Sequence, residues 1–455
     1  MRRLVPPSFL WREPLWFAWR AVKARPTSLC VLAYAVFLVG PPVAAQTADP
    51  IIERITFDDA VRRAVANNPT VAQAASGILR SEAVLQQARA VTLPSLNANL
   101  TTNVIGPVPS FAGEAITPRT QLNTRASLAS PLFSPVLWAR RTQAADQVIV
   151  SERATDDVRK EIAVATAQAY LAVITERRVL ELNERARDNA RAHYDYADQR
   201  FQGGLGSRLN ARRAQQELSG DEARVEDARL AVRRAQEALG VLVASDRPID
   251  AAGQPGFDIP ADVATAGDAP IAGELISPRT DVRLLTERTS AAVRVLRDSR
   301  LEYLPSVTGL LAPQLLTPAG LFSPSRSWSG TVLFSMPLFE AGQRKGARLE
   351  RQSQLDAVRA QLTQTERAAR SEVRTALEAV RSTEKALTSA QAAAAQANEV
   401  VQITDTAFRA GATTNIELID AQRGARDADT AAAIAEDAVR RARLEVLVAI
   451  GRFPN

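Results

Sequence analysis

The chain has 455 residues, with 56 basic and 50 acidic side chains and a formal net charge of +6. Residues 1–45 hold six of the basic residues and one acidic residue, so the remainder is almost neutral and overall charge gives no support for nucleic-acid binding. The single cysteine, Cys30, and the single histidine, His193, exclude a disulfide framework, a cysteine metal site and a multi-histidine site.

Residues 1–45 are predicted to be a secretory signal peptide. The basic start is followed by an apolar run from Leu29 to Val39, and then by small residues ending at Ala45, an order typical of such signals. We expect cleavage after Ala45. The apolar run is too short to span a bilayer comfortably as a helix, and Leu29 before Cys30 is too large for a lipoprotein signal, so a lipid anchor is not expected.

Residues 46–244 are predicted to form the first of two repeats. Thr56 is the predicted N-cap of a helix that Asn68-Pro69 interrupts and that resumes to about Thr92. From Leu93 the apolar period changes to two, over about 96–104 and again over about 121–128. These segments predict a hairpin of two strands whose length suits a tilted strand in a bilayer. A soluble hairpin with one wet face is the alternative.

A very long helix is predicted after this hairpin, from Val136 to about Arg200. Such a length without capping breaks indicates a coiled coil, and we expect His193 at a partly exposed position on it. After a reversal at Gly203–Ser207, apolar or small residues recur at alternating spacings of three and four up to residue 242. That spacing is the seam of a heptad, so the first repeat ends in a long helical hairpin.

Residues 245–278 are predicted to be an irregular connector, because proline and glycine recur throughout them. Residues 279–455 are then predicted to form the second repeat, with strands at about 305–316 and 327–339 and a long helix from about Gly342. On the fourth strand we expect Trp328, Val332, Phe334 and Leu338 on one face. Trp328 fits an interfacial aromatic girdle or a simple core position.

A constant offset shows that the two halves are copies of one unit. A shift of 207 positions places Phe201 on Phe408, Gly204 on Gly411 and Gln215 on Gln422. The same shift places the pentapeptide starting at Ala231 on an identical one starting at Ala438. One offset over some forty positions predicts a duplicated helix–reversal–helix. Two unrelated helical hairpins in an alanine-rich chain are the alternative.

Four strands of membrane length cannot close a barrel, because small barrels begin at eight strands. An open sheet cannot lie in lipid, since its edge amides would be unpaired. The pattern therefore predicts that several chains share one barrel, with two, three or four copies giving eight, twelve or sixteen strands. The long helical pairs would continue this barrel as a hollow sheath, which together makes a conduit.

The motifs also resemble those of a known family. They are Ile55-Thr-Phe-Asp-Asp-Ala-Val61 with Asn68-Pro69, Leu-Pro-Ser at 93 and 304, Pro-Leu-Phe at 131 and 337, and the doubled glycine reversal. In this order they resemble the TolC-like outer-membrane efflux proteins along residues 51–455. The resemblance implies a mainly α-helical fold with a membrane β-barrel part. Long coiled-coil helices would form a periplasmic α-barrel, and four strands per chain would contribute to a twelve-stranded barrel shared by a homotrimer.

The same resemblance implies partners, a location and a site. The partners are a periplasmic adaptor (membrane fusion) protein, an inner-membrane transporter that is either a proton-driven pump or an ABC exporter, and outer-membrane lipid. The location is the outer membrane, extending into the periplasm. In such proteins the glycine reversals form the tip on which the adaptor docks. The matching residues here are Gly204, Gly206, Ser207, Gly411, Thr413 and Thr414.

A pore gate is also implied. The family carries an Asp-x-x-Asp pattern after its second reversal, and the matching residues are Glu417 and Asp420, with Asn210 and Arg213 at the equivalent positions of the first repeat. Residues three apart share a helix face, and carboxylates around a narrow pore favour cations. Contacts of Arg208 or Arg213 with Glu417 or Asp420 are one way to hold the gate closed. A solvated helix surface is the alternative for these residues.

The functional prediction is the exit duct of a tripartite efflux or type I secretion system. No nucleophile with a base, phosphate loop or metal spacing is present, so the sequence predicts neither an enzyme nor a cofactor. A secreted trimeric coiled-coil structural or adhesin-like protein without a channel is the rival hypothesis. It accounts for the heptads and the signal, but not for two hairpins of membrane length at equivalent points of a repeat.

Overall fold

The computed structural model describes residues 52–260, 263 and 273–453. The predicted signal peptide with Cys30, and most of the second half of the predicted connector, lie outside the described residues. In the described part, long helices alternate with a small set of strands.

The first half begins with strand β1 (Glu53–Ile55), helix α1 (Phe57–Asn67) and helix α2 (Pro69–Ala90). Strand β2 (Ser95–Val104), a two-residue pair β3 (Ser110–Phe111) and β4 (Glu114–Ala115), and strand β5 (Thr120–Phe133) follow. Helices α3 (Pro135–Gln202) and α4 (Arg208–Val243) complete it.

The second half has strand β6 (Ile249–Ala251), a helical turn α5 (Gly273–Ile276), helix α6 (Thr280–Asp298) and a 3-10 turn at Ser299–Tyr303. Strands β7 (Ser306–Thr317) and β8 (Arg326–Ser335) come next, and helices α7 (Gln343–Arg409) and α8 (Asn415–Ala449) end the chain. None of the described helices carries an apolar stretch long enough to cross a membrane.

The start of the described chain confirms the predicted cap at Thr56 and the predicted break at Asn68-Pro69. The Thr56 hydroxyl accepts the N–H of Asp59 at 3.3 Å and so caps α1. Asn68 ends α1 and caps α2, because its side-chain oxygen accepts the N–H of Thr70 at 2.9 Å. Its amide group also donates to the carbonyl of Leu242 at 3.0 Å. The Asn68-Pro69 break therefore docks the first two helices onto the end of α4.

Four antiparallel strands form one open sheet in the order β2-β5-β7-β8. The register puts Leu96 opposite Leu128, and Leu128 opposite Leu311. Because side chains alternate between faces, Leu100, Leu315, Trp328, Val332 and Phe334 fall on the same face as these leucines. Asn97, Asn99 and Arg125 fall on the opposite face. The predicted division into an apolar and a polar face is confirmed for β2 and β5, whereas in β7 and β8 the opposite face also carries Leu310 and Leu333.

The apolar face of this sheet is uncovered within one chain. Leu96 is 72% exposed and Val332 is 71% exposed. The outer strands β2 and β8 each pair on one side only within the described part of the chain. Strand β8 ends at Ser335 rather than near residue 339, so Leu338 lies beyond the strand, and Pro337 explains this because it cannot donate to a ladder.

The helices pack as two antiparallel hairpins, α3 with α4 and α7 with α8. Helix α3 has 68 residues, which is about 102 Å at 1.5 Å per residue. Predicted seam residues of α4 are buried, among them Ala211, Ala214, Leu218 and Val225. Small residues at such a seam let two helices approach closely, and the predicted coiled-coil character is confirmed.

The core surrounds the middle of α3 and contains a correction. Residues 245–278 were expected to be irregular, yet β6 pairs in parallel with β1, with Ile55 opposite Ala251. The Tyr170 hydroxyl of α3 donates to the carbonyls of Ile55 at 3.2 Å and Gly253 at 3.0 Å. Phe257 and Phe453 are buried in the same region. The connector therefore packs with β1 and with Phe453 around the middle of α3.

Candidate functional site at the tips of the helical hairpins

The two hairpin reversals have the same backbone geometry. The N–H of Leu205 donates to the carbonyl of Arg200, and the N–H of Ala412 donates to the carbonyl of Ala407, each at 2.8 Å. These bonds are 207 positions apart. Gly204 and Gly411 have φ angles of +75° and +78°, the left-handed conformation that favours glycine at the end of a helix. The predicted duplication of the reversal is confirmed at the level of single hydrogen bonds.

Each reversal leads into a capped helix. The Ser207 hydroxyl accepts the N–H of Leu209 at 3.2 Å. The Thr414 hydroxyl accepts the N–H of Glu417 at 3.4 Å, and the Glu417 carboxylate accepts the N–H of Thr414 at 3.2 Å. This reciprocal pair is a capping box. Glu417 therefore holds the start of α8 as well as presenting a charge at the tip.

Glycine at 206 has a different physical reason. A Cβ there would lie 3.0 Å from backbone atoms of Arg200 and Phe201, so the close return of the chain leaves no space for a side chain. A Cβ at 204 or 411 would meet nothing within 4 Å, and only the backbone conformation restricts those two positions. Both tips are exposed to solvent, Thr413 in part.

The predicted gate residues lie together at this end of the helices. Glu417 and Asp420 are exposed in the first turns of α8. Asn210 is half-buried and Arg213 is exposed in the equivalent turns of α4. The Asn210 carbonyl accepts a hydrogen bond from the Asn415 side chain at 3.4 Å, which joins the two hairpins.

The expected contact between arginine and carboxylate does not form within one chain. Asp420 pairs with Arg423 at 3.9 Å, one turn further along its own helix, while Glu417 is held by its capping box. Neither Arg208 nor Arg213 has a described carboxylate within 4.0 Å. Arg423 thus takes the place that the sequence suggested for the arginines of the first hairpin.

His193 is the clearest correction at the site. It was expected to be partly exposed, but it is only 7% exposed. Its Nε2 lies 2.6 Å from the Oδ1 of Asn415, and its ring is 5.4 Å from that of Phe408 in an edge-on arrangement. Tyr196 also contacts Phe408, with ring centroids 5.9 Å apart. Burial is the main cause that lowers the pKa of His193 below its ordinary value, whereas the hydrogen bond to the Asn415 oxygen opposes it.

A buried charged layer joins α4 to α8 further from the tips than the aromatic contacts. Glu217 and Asp221 are buried, and the Glu217 carboxylate accepts the Nε of Arg423 at 2.8 Å and a second nitrogen of the same guanidinium. Arg426 donates to Asp221 at 2.8 Å and lies 3.6 Å from Glu217. Arg224 donates to Asp221 at 2.6 Å. Each buried carboxylate thus has at least two cationic partners.

The sequence analysis missed this layer, although one signal was present. In the heptad of α4, position 221 is the slot between Leu218 and Val225, and the equivalent position of α8 is Ala428. An aspartate in a seam slot that its repeat fills with alanine indicates a buried polar contact. No equivalent signal marked His193, whose partners come from the other repeat.

A cavity of about 190 Å³ lies between the four helices beside this layer, lined in part by Asn189, Asn398 and Gln422. Among residues 52–260, 263 and 273–453, no group of three or more histidine, cysteine, aspartate or glutamate side chains is arranged to hold a metal ion. The geometry instead offers two exposed hairpin tips joined by polar contacts.

Comparison with known proteins gives a consistent result. The family model described as outer membrane efflux protein matches residues 60–245 and 287–452. Outer membrane protein OprJ of Pseudomonas aeruginosa is 27% identical over 383 residues, which are 80% of this chain and 77% of that protein.

Solved structures show the same fold. A membrane protein from Pseudomonas aeruginosa has a TM-score of 0.75 at 22% identity, covering 88% of this chain and 91% of that one. The CmeC outer membrane channel of Campylobacter jejuni has a TM-score of 0.74 at 16% identity, covering 88% of this chain and 87% of that one.

Proposed function

The chain belongs to the family of outer membrane efflux proteins, and from this premise we propose that it is the exit duct of a tripartite efflux or type I secretion system. Its location is the outer membrane, with an extension into the periplasm. The proposed duct receives substrates from an inner-membrane pump and releases them outside the cell. The observation that carries the proposal is the four-stranded sheet with one apolar face, attached to helical hairpins of about 100 Å.

The sheet supports a homotrimer. Its outer strands have ten residues each and one unpaired edge each, and an edge in lipid leaves amides and carbonyls without partners. Pairing β2 of one copy with β8 of the next removes every such edge, and three copies give twelve strands. The uncovered apolar face then suits contact with lipid, while Asn97, Asn99 and Arg125 face the lumen. A secreted coiled coil would leave that apolar face exposed to water.

The tips support docking of a periplasmic adaptor. Leu205 is 77% exposed at the first reversal and Leu209 is exposed in the following turn. Exposed leucines beside open helix ends suit contact with the apolar side chains of another helical hairpin. The adaptor would in turn connect the duct to a proton-driven pump or an ABC exporter.

Docking can be tested with single cysteines, because Cys30 in the predicted signal peptide is the only native one. A photoreactive crosslinker attached to Ser207→Cys is expected to capture the adaptor in cells. Ser353→Cys is the matched control, since Ser353 is an exposed serine near the opposite end of α7. Equal capture from both positions, or none from Ser207→Cys, would remove the tip from the docking surface.

The duct and its gate can be tested together by recording single channels in planar bilayers. The wild type is expected to conduct with a preference for cations. The double variant Glu417→Gln, Asp420→Asn is expected to lose most of that preference, because three copies would remove six carboxylates from the constriction. Glutamine at 417 keeps the capping box, so the start of α8 stays folded.

The control for the gate is Glu436→Gln, an exposed glutamate further along α8, about 24 Å of helix beyond Asp420. It should change selectivity little. A double variant with unaltered selectivity would exclude Glu417 and Asp420 from the gate. A wild-type protein that forms no conductance at all would overturn the duct itself.

A further inference from the structure

His193 is the contact point of the two hairpins at their tips. It belongs to α3, its Nε2 lies 2.6 Å from Oδ1 of Asn415 at the start of α8, and its ring lies against Phe408 at the end of α7. The side chain of Asn415 continues to the carbonyl of Asn210 in α4 at 3.4 Å. All four long helices therefore meet through one imidazole and one buried amide.

The hydrogen bonds define which atoms donate. Because the Asn415 nitrogen donates to the Asn210 carbonyl, the Asn415 oxygen faces the imidazole and accepts its Nε2–H. In this arrangement the neutral ring donates one hydrogen bond and carries no charge. A protonated ring would carry a charge in a place that solvent hardly reaches, and burying an unpaired charge is costly.

The charged surroundings do not supply a direct counter-ion. Among the described residues, Asp405 on α7 is the charged group that acts on the ring and raises its pKa. That carboxylate already pairs with Arg409 at 2.9 Å. Helix α8 contributes the uncharged amide of Asn415, α4 a backbone carbonyl through that amide, and α3 itself the Tyr196 ring through Phe408. Burial is the largest influence, so the pKa is lowered.

We propose that His193 is a proton-sensitive tie between the two helical hairpins: when neutral it holds the second tip against the first, and its protonation releases that tip. His193 is the only histidine of the chain, and histidine is the side chain whose ordinary pKa lies between pH 5 and 8. Its effect on gating rests on the proposed function, whereas its titration does not.

The direction of the pH effect follows from the two states. In the released tip the ring is in water and has a pKa near 6.5, whereas in the tied tip the pKa is lower. The released state therefore binds the proton more strongly. The tie is fully present above pH 6.5 and is lost as the pH falls below that value. Between pH 6.5 and the lower pKa of the tied state, the ratio of released to tied tips rises by up to about tenfold per chain for each pH unit.

The titration can be measured directly, because a protein labelled with ¹³C at histidine Cε1, and purified without a histidine tag, gives one imidazole signal. We expect a midpoint below pH 6.5 in the wild type. In Asn415→Asp a carboxylate replaces the amide oxygen, and the midpoint is expected to move above 6.5. A wild-type midpoint at or above 6.5, or one that Asn415→Asp leaves unchanged, would overturn the tie.

The effect on opening is measured as single-channel open probability between pH 7.5 and 5.5. The wild type is expected to open more as the pH falls. His193→Gln keeps a donor for Asn415 but does not titrate, so its response should be flat, and Asn415→Asp should close as the pH falls to 5.5. Asn398→Ala is the matched control, because Asn398 bonds Asp429 at 2.9 Å within the second hairpin and should keep the wild-type response.

The outcomes separate this inference from the proposed function. A conducting channel whose pH response is the same in His193→Gln and in the wild type contradicts the tie and leaves the duct intact. Failure of every variant and of the wild type to conduct contradicts the duct, and the imidazole titration then decides the tie alone.

Discussion

Replacing Arg426 with methionine is expected to reduce the free energy that holds α8 against α4 by about 3 kcal/mol, because removal of one partner leaves a buried charge unpaired. The Arg426 side chain is 9% exposed, and its guanidinium lies 2.8 Å from Asp221 and 3.6 Å from Glu217. Methionine fills a similar volume but leaves two buried carboxylates short of positive charge. Hydrogen exchange of the amides near 217–226 and 423–430 is expected to accelerate about a hundredfold.

Arg423→Met is the matched control for this prediction. Its side chain is 45% exposed, and its removal affects one buried carboxylate, Glu217, which keeps Arg426 at 3.6 Å. Removal of Arg426 affects Glu217 and Asp221 together, so the acceleration should be smaller for Arg423→Met. Equal exchange rates in the two variants would mean that the sharing of Arg426 between two carboxylates does not set the strength of this layer.

Replacing Gly451 with alanine is expected to destabilise the fold by about 3 kcal/mol, from backbone strain and overpacking together. Gly451 follows α8 with a φ of +72°, and an added Cβ would lie 2.7 Å from the backbone nitrogen of Arg279. Arg279 cannot withdraw easily, since its guanidinium bonds Glu372 at 2.6 Å and the carbonyl of Ala449 at 3.1 Å. Thermal unfolding followed by the helical circular dichroism signal measures the effect, and the midpoint temperature is expected to be lower than in the wild type.

Gly424→Ala controls for the change of glycine to alanine itself. Gly424 lies inside α8 and nothing lies within 4 Å of an added Cβ. Alanine is expected to stabilise this helix by about 1 kcal/mol, so the midpoint should rise. A Gly451→Ala protein with the melting temperature of the wild type would show that the backbone of Arg279 moves away from the added Cβ without loss of stability.

The features that the sequence predicted well are those with a local or periodic signature. Gly204 and Gly411 were identifiable because a left-handed end of a helix favours glycine. The strands were identifiable because Leu96 to Val104 alternate with polar residues, and the register between β2 and β5 preserves that alternation. The shared offset of 207 positions then related the two reversals and the helices around them, one in each half of the chain.

The features that the sequence did not reveal depend on contacts between distant segments. Strands β1 and β6 have three residues each, too few for a period, and they pair across 196 positions of the sequence. The tie at His193 needs Asn415, 222 positions away. The ion pair of Arg423 with Glu217 was overlooked because its two partners lie on different repeats.

Strands β1 and β6 and Phe453 pack around the middle of α3 and hold the helix at that point. The remainder of α3 extends from there as a long arm. From Leu171, inside that packed region, to the end of α3 at Gln202 is about 47 Å of helix. Such an arm turns a pivot of about 5° into a displacement of about 4 Å at its far end, given the rise of 1.5 Å per residue. Modest repacking around Leu171 would therefore displace the far end of α3 by several ångströms once its contacts with α7 and α8 are released.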